Sequence, residues 1–205
     1  MMETSPRVLI ACEFSGVVRR AFRKQGFDAW SCDILPSEDG GPHLRGNVLD
    51  IIDGYEGKPW AGMIAFPPCT DLVSSGARWF TYKTVKQEAA LTFFRTLLDA
   101  PIPHVAVENP IGIPSTRIRP PDQIIQPWQF GVSETKATCL WLRGFPRLRP
   151  THIVRGYNFE QLQYFPNPYP RVHREPPSPD RWKNRSRTLE PIAEAMATQW
   201  GPLLR

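Results

Sequence analysis

The stretch RVLIACEFSGVVRRAFRKQGFDAWSCD, residues 7–33, decides the fold class. Its first six residues form a short apolar run that is typical of a buried strand and that leads into the small-residue turn Phe14-Ser15-Gly16. Residues 17–26 then place apolar side chains at helical spacing and close on a glycine, which predicts one amphipathic helix. Residues 28–33 predict a second strand that ends on an acid. Strand, helix and strand in this order indicate a β-α-β unit with parallel strands.

The same alternation continues along the chain, as short apolar strands and stretches with apolar residues at helical spacing. A loop with two adjacent glycines and a short segment at 46–51 follow the second strand. The further predicted strands are 62–66, 104–109, 124–126 and 138–142, and the further predicted helices are 84–100 and 189–204. This pattern favours an α/β fold with a mostly parallel sheet flanked by helices.

Length and composition exclude several classes of protein. The chain has 205 residues, of which 41% are hydrophobic and 22% charged, so we expect one globular domain. No apolar run approaches the roughly 20 residues that span a bilayer, and no secretory signal pattern opens the sequence. Four separated cysteines without a CxxC pair, and four histidines without ligand spacing, predict free thiols, a cytoplasmic location and no metal site. Cys12, Cys32 and Cys139 lie in predicted strands and are expected in the core.

The second half of the chain is rich in proline and arginine. Because proline interrupts helices and sheet ladders, residues 146–185 predict an irregular arm. Arginines for phosphates and aromatic rings for stacking suit a nucleic-acid groove, and a solvated coil is the alternative. The side chains in or beside this arm are Arg143, Arg147, Arg149, Arg155, Arg171, Arg174, Arg181, Arg185, Arg187, Tyr157, Tyr164, Tyr169 and Trp182.

Distinctive side chains lie at the carboxyl ends of three of the predicted strands. In parallel sheets ligands bind beyond the carboxyl ends of the strands, so these side chains are expected to converge. Pro68-Cys69-Thr70 offers a thiol on a stiffened loop, which favours a nucleophile over a buried structural cysteine. Glu108, followed by Asn109 and Pro110, is a candidate proton donor at a ring nitrogen if burial raises its pKa; an ion-paired glutamate is the alternative.

The turn at Phe14-Ser15-Gly16 has room for the carboxylate or ribose end of a nucleoside cofactor near a helix N-terminus. Asp33 suits a ribose-hydroxyl acceptor, and an ordinary loop acid is the alternative. A GxGxxG motif is absent from the sequence, so a dinucleotide is poorly supported.

Together these segments resemble the cytosine-5 DNA methyltransferases. Phe14-Ser15-Gly16 is similar to the family's Phe-x-Gly turn, Pro68-Cys69 to its Pro-Cys nucleophile motif and Glu108-Asn109-Pro110 to its Glu-Asn-Val motif. Gly46-Asn47-Val48 resembles the segment that contacts the adenine of the cofactor, with Asn47 in place of an acid. A Gln-x-Arg-x-Arg motif is absent from the sequence, and Arg117, Arg119 or Lys136 are the candidates for its charge.

The resemblance implies a Rossmann-like class I methyltransferase fold that uses S-adenosylmethionine. Residues 1–145 and 186–205 would form the catalytic domain, and the arm 146–185 a short, reduced target-recognition region. The cofactor-binding residues that it implies are Phe14, Ser15, Gly16, Asp33, Asn47, Val48 and Pro67. The substrate-binding residues that it implies are Pro68, Thr70, Asn109, Lys136, Arg185 and Arg187.

The implied activity is methyl transfer to C5 of cytosine in DNA through a covalent Cys69 adduct, with Glu108 at N3 of the ring. A duplex target would have to flip its base into the site. Two alternatives stay open at this point. The same chemistry can act on RNA or a free cytosine nucleotide, or the chain can be a catalytically silent relative that binds nucleic acid or a partner protein.

Overall fold

The structure is a computed structural model that describes residues 5–73, 84–154 and 171–205. Its centre is a sheet of seven strands in the order β3-β2-β1-β4-β5-β7-β6. The strands are β1 Arg7–Ala11, β2 Asp28–Asp33, β3 His43–Arg45, β4 Gly62–Ala65, β5 His104–Pro110, β6 Gln123–Ile125 and β7 Thr138–Arg143. The first five in this order run parallel, whereas β7 lies antiparallel to both β5 and β6.

Helices cover both faces of this sheet. The α-helices of the described residues are α1 Val17–Lys24, α2 Thr84–Leu98, α3 Pro114–Arg117, α4 Arg171–Arg174, α5 Arg181–Ser186 and α6 Glu190–Trp200. Short 3-10 helices lie at Val48–Asp50, Pro127–Gln129 and Gly201–Leu204. Helices α1 and α6 pack together on one face, and α2 covers the other.

Alternation of side chains along the strands explains this division. Val8 and Ile10 of β1 pack with α1 and α6, while Leu9 points to the layer of α2. The α2 layer includes Phe94, whose ring meets Trp141 of β7 edge to face with centroids 5.0 Å apart. Burial of one such aromatic side chain contributes about 1.5–3 kcal/mol, so the two layers hold the central strands rigidly and fix where their ends lie.

The strands and long helices predicted from the sequence are present, and the sheet of mostly parallel strands is confirmed. Their ends agree within about two residues, except that the helix predicted at 189–204 is α6 followed by the 3-10 helix Gly201–Leu204. Three differences stand out. Strand β3 was not predicted, and the arm, expected to be irregular, contains α4 and α5. Cys12 was expected inside the first strand but lies just after β1, half-buried, with a left-handed φ of 58°.

No helix of the described residues combines the length and the apolar character that crossing a bilayer requires. The predicted cytoplasmic location stays a prediction. In the same residues no group of three or more His, Cys, Asp and Glu side chains is arranged to hold a metal ion.

Candidate active site

The loop after β4 carries Cys69 and is held by backbone hydrogen bonds. The carbonyl of Cys69 accepts from the amides of Leu72 and Val73, at 2.9 and 3.0 Å, which folds the loop into a turn. The carbonyl of Leu72 accepts from the amide of Ile113 at 2.9 Å. This last bond joins the Cys69 loop to the segment that follows β5, so the two strand ends form one unit.

Gly112 permits this close approach. A Cβ at this position would collide with the carbonyl oxygen and carbon of Leu72, so only a residue without a side chain fits the observed backbone. The sequence alone gave no reason to single out this glycine.

Asn109 connects the same two strand ends through its side chain. The residue is fully buried, and its Nδ2 donates to the carbonyl of Pro67 at 3.0 Å. Its Oδ1 is buried with no hydrogen-bond partner among the described residues. The bond to Pro67 gives Asn109 a positioning role toward the loop that carries Cys69, and its predicted role in substrate binding stays a prediction.

Glu108 points to the opposite face of β5 from Asn109, toward α6. It lines a small hollow whose other walls include Phe66, Lys136, Thr138 and Leu189. The volume of this hollow is about 10 Å³, enough for one water molecule. A pyrimidine ring can therefore enter only if the walls move apart.

Charges link Glu108 to the thiol. Burial raises the pKa of Cys69, the carboxylate of Glu108 raises it further, and the charges of Lys136 and Arg185 lower it. Burial also raises the pKa of Glu108, while Lys136 and a hydrogen bond from Thr138 lower it. Of these groups, Glu108 and Lys136 line the same hollow. Thr138 was not predicted, because a threonine opening a strand carries no catalytic signal.

The turn after β1 differs from its expected form. Glu13 is buried, and its carboxylate accepts from the amides of Val18 at 2.7 Å and Arg19 at 3.2 Å. Ser15 is a further partner, donating its hydroxyl to Glu13 at 3.3 Å. This turn was expected to leave room for the carboxylate or ribose end of a cofactor, which stays a prediction; the amide donors of Val18 and Arg19 are taken by this chain's own carboxylate. The sequence signal for this arrangement is an acid four residues before the start of the predicted helix.

Phe14 and Gly16 belong to the same turn after β1. Phe14 is buried and contacts Trp182 of α5, with ring centroids 5.9 Å apart. Gly16 has a left-handed φ of 70°, and a Cβ there would collide with the side chains of Arg19 and Asp39. The Arg19 guanidinium is buried and bonded to Asp39 and to the hydroxyl of Ser31. Arg19 was missed because a buried arginine looks like a surface residue in the sequence.

The remaining predicted cofactor residues differ in how available they are. Asp33 ends β2, where burial raises its pKa and the amide of Leu35, donating at 2.9 Å, lowers it. Val48 and Pro67 are buried. Asn47 is exposed, and its side chain accepts from the amide of Leu49 at 3.1 Å to cap the 3-10 helix. That bond gives Asn47 a structural role of its own.

The predicted substrate residues are also spread unevenly. Pro68 and Thr70 are exposed beside Cys69, and Lys136 and Arg185 act electrostatically on the thiol. Arg187 instead pairs with Glu38, at 2.7 Å between guanidinium nitrogen and carboxylate oxygen. In the arm, Arg155, Tyr157, Tyr164 and Tyr169 lie outside the described residues.

Comparison with solved structures identifies the fold. A candidate DNA modification methyltransferase encoded within a prophage (E. coli) matches with a TM-score of 0.50 and 15% identity, over 73% of this chain and 52% of its own. The Entamoeba histolytica methyltransferase EhMeth matches with a TM-score of 0.47 and 14% identity, over 74% of this chain and 58% of its own. A DNMT2 variant from Spodoptera frugiperda matches with a TM-score of 0.41 and 14% identity, over 73% and 54%.

The chain therefore spans a little over half the length of these three proteins. No protein-family model and no curated protein matches the sequence. The first likeness, together with the strand order, confirms the Rossmann-like methyltransferase fold that the motifs predict.

Proposed function

We propose that this chain is an S-adenosylmethionine-dependent cytosine-5 methyltransferase that acts on DNA, with Cys69 as the nucleophile and Glu108 as the acid. One observation carries the proposal. Cys69 lies in the loop that follows β4, and Glu108 lies near the carboxyl end of β5, the parallel neighbour of β4. The hydrogen bond from Asn109 to Pro67 holds these strand ends together.

The pairing suits the chemistry of the cytosine ring. C5 is a poor nucleophile because the aromatic ring holds its electrons. The thiolate of Cys69 adds to C6 while Glu108 donates a hydrogen bond or a proton to N3, so the electron pair moves to C5 as an enamine. S-adenosylmethionine, when bound, supplies the electrophilic methyl group for that carbon. Water then takes the C5 proton, the Cys69 thiolate is expelled from C6, and any proton given to N3 returns to Glu108, which restores the ring.

The environments of the two groups favour these roles. Burial raises the pKa of Glu108, which keeps the carboxyl protonated to higher pH and ready to donate at N3. The cations of Lys136 and Arg185 favour the thiolate of Cys69. Burial raises the pKa of both groups, which favours the protonated acid at Glu108 but disfavours the thiolate of Cys69. The two cations are therefore needed to offset this effect at Cys69.

The residues that we propose for the cofactor fit S-adenosylmethionine in part. Asp33 ends the second strand with a half-buried carboxylate, a suitable acceptor for ribose hydroxyls. Phe14 and Trp182, with ring centroids 5.9 Å apart, add aromatic side chains at the turn after β1. The carboxylate of the cofactor would need donors other than the N-terminus of α1, because Glu13 occupies that position.

Nucleic acid is the substrate class that the basic composition favours. The chain has a formal net charge of +5, and its arm concentrates arginines and aromatic rings that suit phosphates and bases. We assign residues 1–145 and 186–205 to catalysis and 146–185 to target binding. Entry of a flipped cytosine would widen the hollow beside Glu108, at a cost of a few kcal/mol for the base.

The test is transfer of a labelled methyl group from S-adenosylmethionine to DNA by the purified chain. Transfer to cytosine C5 is expected, with complete loss in Cys69→Ala and a loss of about 10²–10⁴-fold in Glu108→Gln. Cys139→Ala is the matched control, because Cys139 is a fully buried core thiol and should keep most activity.

The other readings predict different results in the same assay. Transfer to RNA or to free cytosine nucleotides, but not to DNA, would select the alternative substrates. No transfer to any of them, with binding of nucleic acid retained, would indicate a silent relative. Undiminished transfer by Cys69→Ala would refute the proposed nucleophile.

A further inference from the structure

His43, the first residue of β3, is hydrogen-bonded through both nitrogens of its ring. Its Nδ1 lies 2.9 Å from the hydroxyl of Ser31, the residue opposite it on β2. Its Nε2 lies 2.9 Å from the carbonyl oxygen of Leu35. A carbonyl can only accept, so Nε2 carries the hydrogen and Nδ1 accepts from the Ser31 hydroxyl. These two partners fix one tautomer and one orientation of the ring.

Ser31 is in turn anchored by the buried guanidinium of Arg19. The Nη1 of Arg19 donates to the Ser31 hydroxyl at 2.8 Å and to the carbonyl of Pro42 at 3.1 Å. Ser31 is 0% exposed and Arg19 1%, so this pair belongs to the rigid interior of the protein. Because a guanidinium can only donate, the Ser31 oxygen accepts from it and the hydroxyl hydrogen is left for His43. The ring of His43 is therefore held from the core.

Leu35 joins these hydrogen bonds to the residue that we propose for the ribose. Its carbonyl accepts from His43, and its amide donates to Oδ1 of Asp33 at 2.9 Å. Residues 34–42 contain no helix or strand, so side chains such as His43 supply the restraint that regular structure would otherwise give. A series of hydrogen bonds with printed order Arg19, Ser31, His43, Leu35 and Asp33 thus runs from α1 to the end of β2.

We infer that His43 is a positioning residue for the methyl donor, because it holds Leu35 and thereby the carboxylate of Asp33 in place. The inference deepens the proposed function and rests on it in so far as Asp33 binds the ribose of S-adenosylmethionine. A carboxylate that is already oriented loses less conformational entropy when the ligand binds. Without His43 the cofactor should therefore bind more weakly, while the chemistry at Cys69 is unaffected.

The test measures binding of S-adenosylmethionine to the full chain by isothermal titration calorimetry. His43→Leu removes both hydrogen bonds of the ring and should raise the dissociation constant about tenfold. His43→Gln keeps one donor and one acceptor at the end of the side chain and should recover most of the affinity. In the methyl-transfer assay His43→Leu should raise KM for S-adenosylmethionine and leave kcat and KM for DNA close to the wild type.

His104→Leu is the matched control. His104 is also half-buried, and its Nδ1 is bonded to the carbonyl of Ala61 at 3.3 Å. It opens β5, so it lies at the opposite edge of the sheet from Asp33, which closes β2. His104→Leu should lower the melting temperature as His43→Leu does, but its dissociation constant should stay within about twofold of the wild type.

Ser31→Ala is a second variant that leaves His43 in place. It removes the link to Arg19, so it should also raise the dissociation constant severalfold. Nitrogen NMR of the labelled wild-type ring should show the hydrogen of His43 on Nε2, as the Leu35 carbonyl requires. A hydrogen on Nδ1 alone would overturn the inference, because Nε2 could then not donate to Leu35.

An unchanged dissociation constant in His43→Leu would also overturn the inference, and so would an equal rise in His104→Leu. If His43→Leu does not fold, Ser31→Ala decides, and wild-type affinity in that variant counts against the inference. Binding of S-adenosylmethionine without methyl transfer by the wild type would refute the proposed function and leave this comparison valid. A wild type that does not bind S-adenosylmethionine would refute both.

Discussion

Asn109→Asp exchanges an amide for a carboxyl of nearly the same shape, at the point where the two strand ends of the proposed site are joined. The carbonyl of Pro67 can only accept, so the group that faces it at 3.0 Å must donate. A protonated carboxyl can keep that hydrogen bond. A carboxylate cannot, and its other oxygen would occupy the place of an Oδ1 that has no partner among the described residues.

The expected magnitude follows from this burial. Asn109 is 0% exposed, so the charged form of the new carboxyl is strongly disfavoured in the folded protein and its pKa there lies above the ordinary 3.9 or so. The folded state then binds more protons than the unfolded state, and the free energy of unfolding falls by about 1.4 kcal/mol per pH unit above pH 4. An uncompensated buried charge costs about 3–5 kcal/mol, so we expect a total loss of that size by pH 7.

The assay is urea denaturation of the wild type and the variant from pH 4 to 8. The difference between their free energies of unfolding, plotted against pH, isolates the titration of the new carboxyl group. Asn47→Asp is the matched control, because Asn47 is exposed and caps by accepting from Leu49, which an aspartate does equally well. For Asn47→Asp, the difference in free energy of unfolding from the wild type should not change with pH. If the difference for Asn109→Asp is also independent of pH, the argument from burial and from the need for a donor is refuted.

Two further predictions concern the same strand ends. Burial raises the pKa of Glu108 above its ordinary 4.5. The wild type therefore loses stability as the pH rises above about 4.5 toward the pKa of the folded state, and Glu108→Gln, which has no group to titrate, does not. The urea midpoint of Glu108→Gln should therefore rise relative to that of the wild type between pH 4 and 8. A difference between the two midpoints that does not change with pH would contradict this. Gly112→Ala should cost about 1–3 kcal/mol, because its Cβ meets the Leu72 carbonyl and the Cys69 loop must move. The control is Gly46→Ala, whose Cβ would meet no atom within 4 Å, so its melting temperature should stay close to that of the wild type. Equal loss of melting temperature in the two variants would refute the collision at Gly112.

Local patterns were sufficient for most of the framework. The apolar runs of β1, β4 and β5 and the helical spacing of α2 are properties of consecutive residues, so they could be predicted from the sequence. Strand β3 could not, because its three residues become a strand only by pairing with β2, as Ser31 does with His43. Helix α5 lacks an apolar stripe, and it is the contact of Trp182 with Phe14 that gives it a place on the protein.

For the proposed site, the sequence by itself determined which reactive side chains are present and that they lie at strand ends. In a parallel sheet those ends share one edge, so the loop after β4 and the end of β5 are neighbours. Only the tertiary structure decided how each side chain is used. Asn109 is committed to Pro67, Glu13 takes the donors of α1, Arg187 is paired with Glu38, and Arg185 keeps an unpartnered Nε among the described residues. The physical reason is that residue type sets which hydrogen bonds and charges are possible, whereas burial and the nearest partner across the fold select the ones that form.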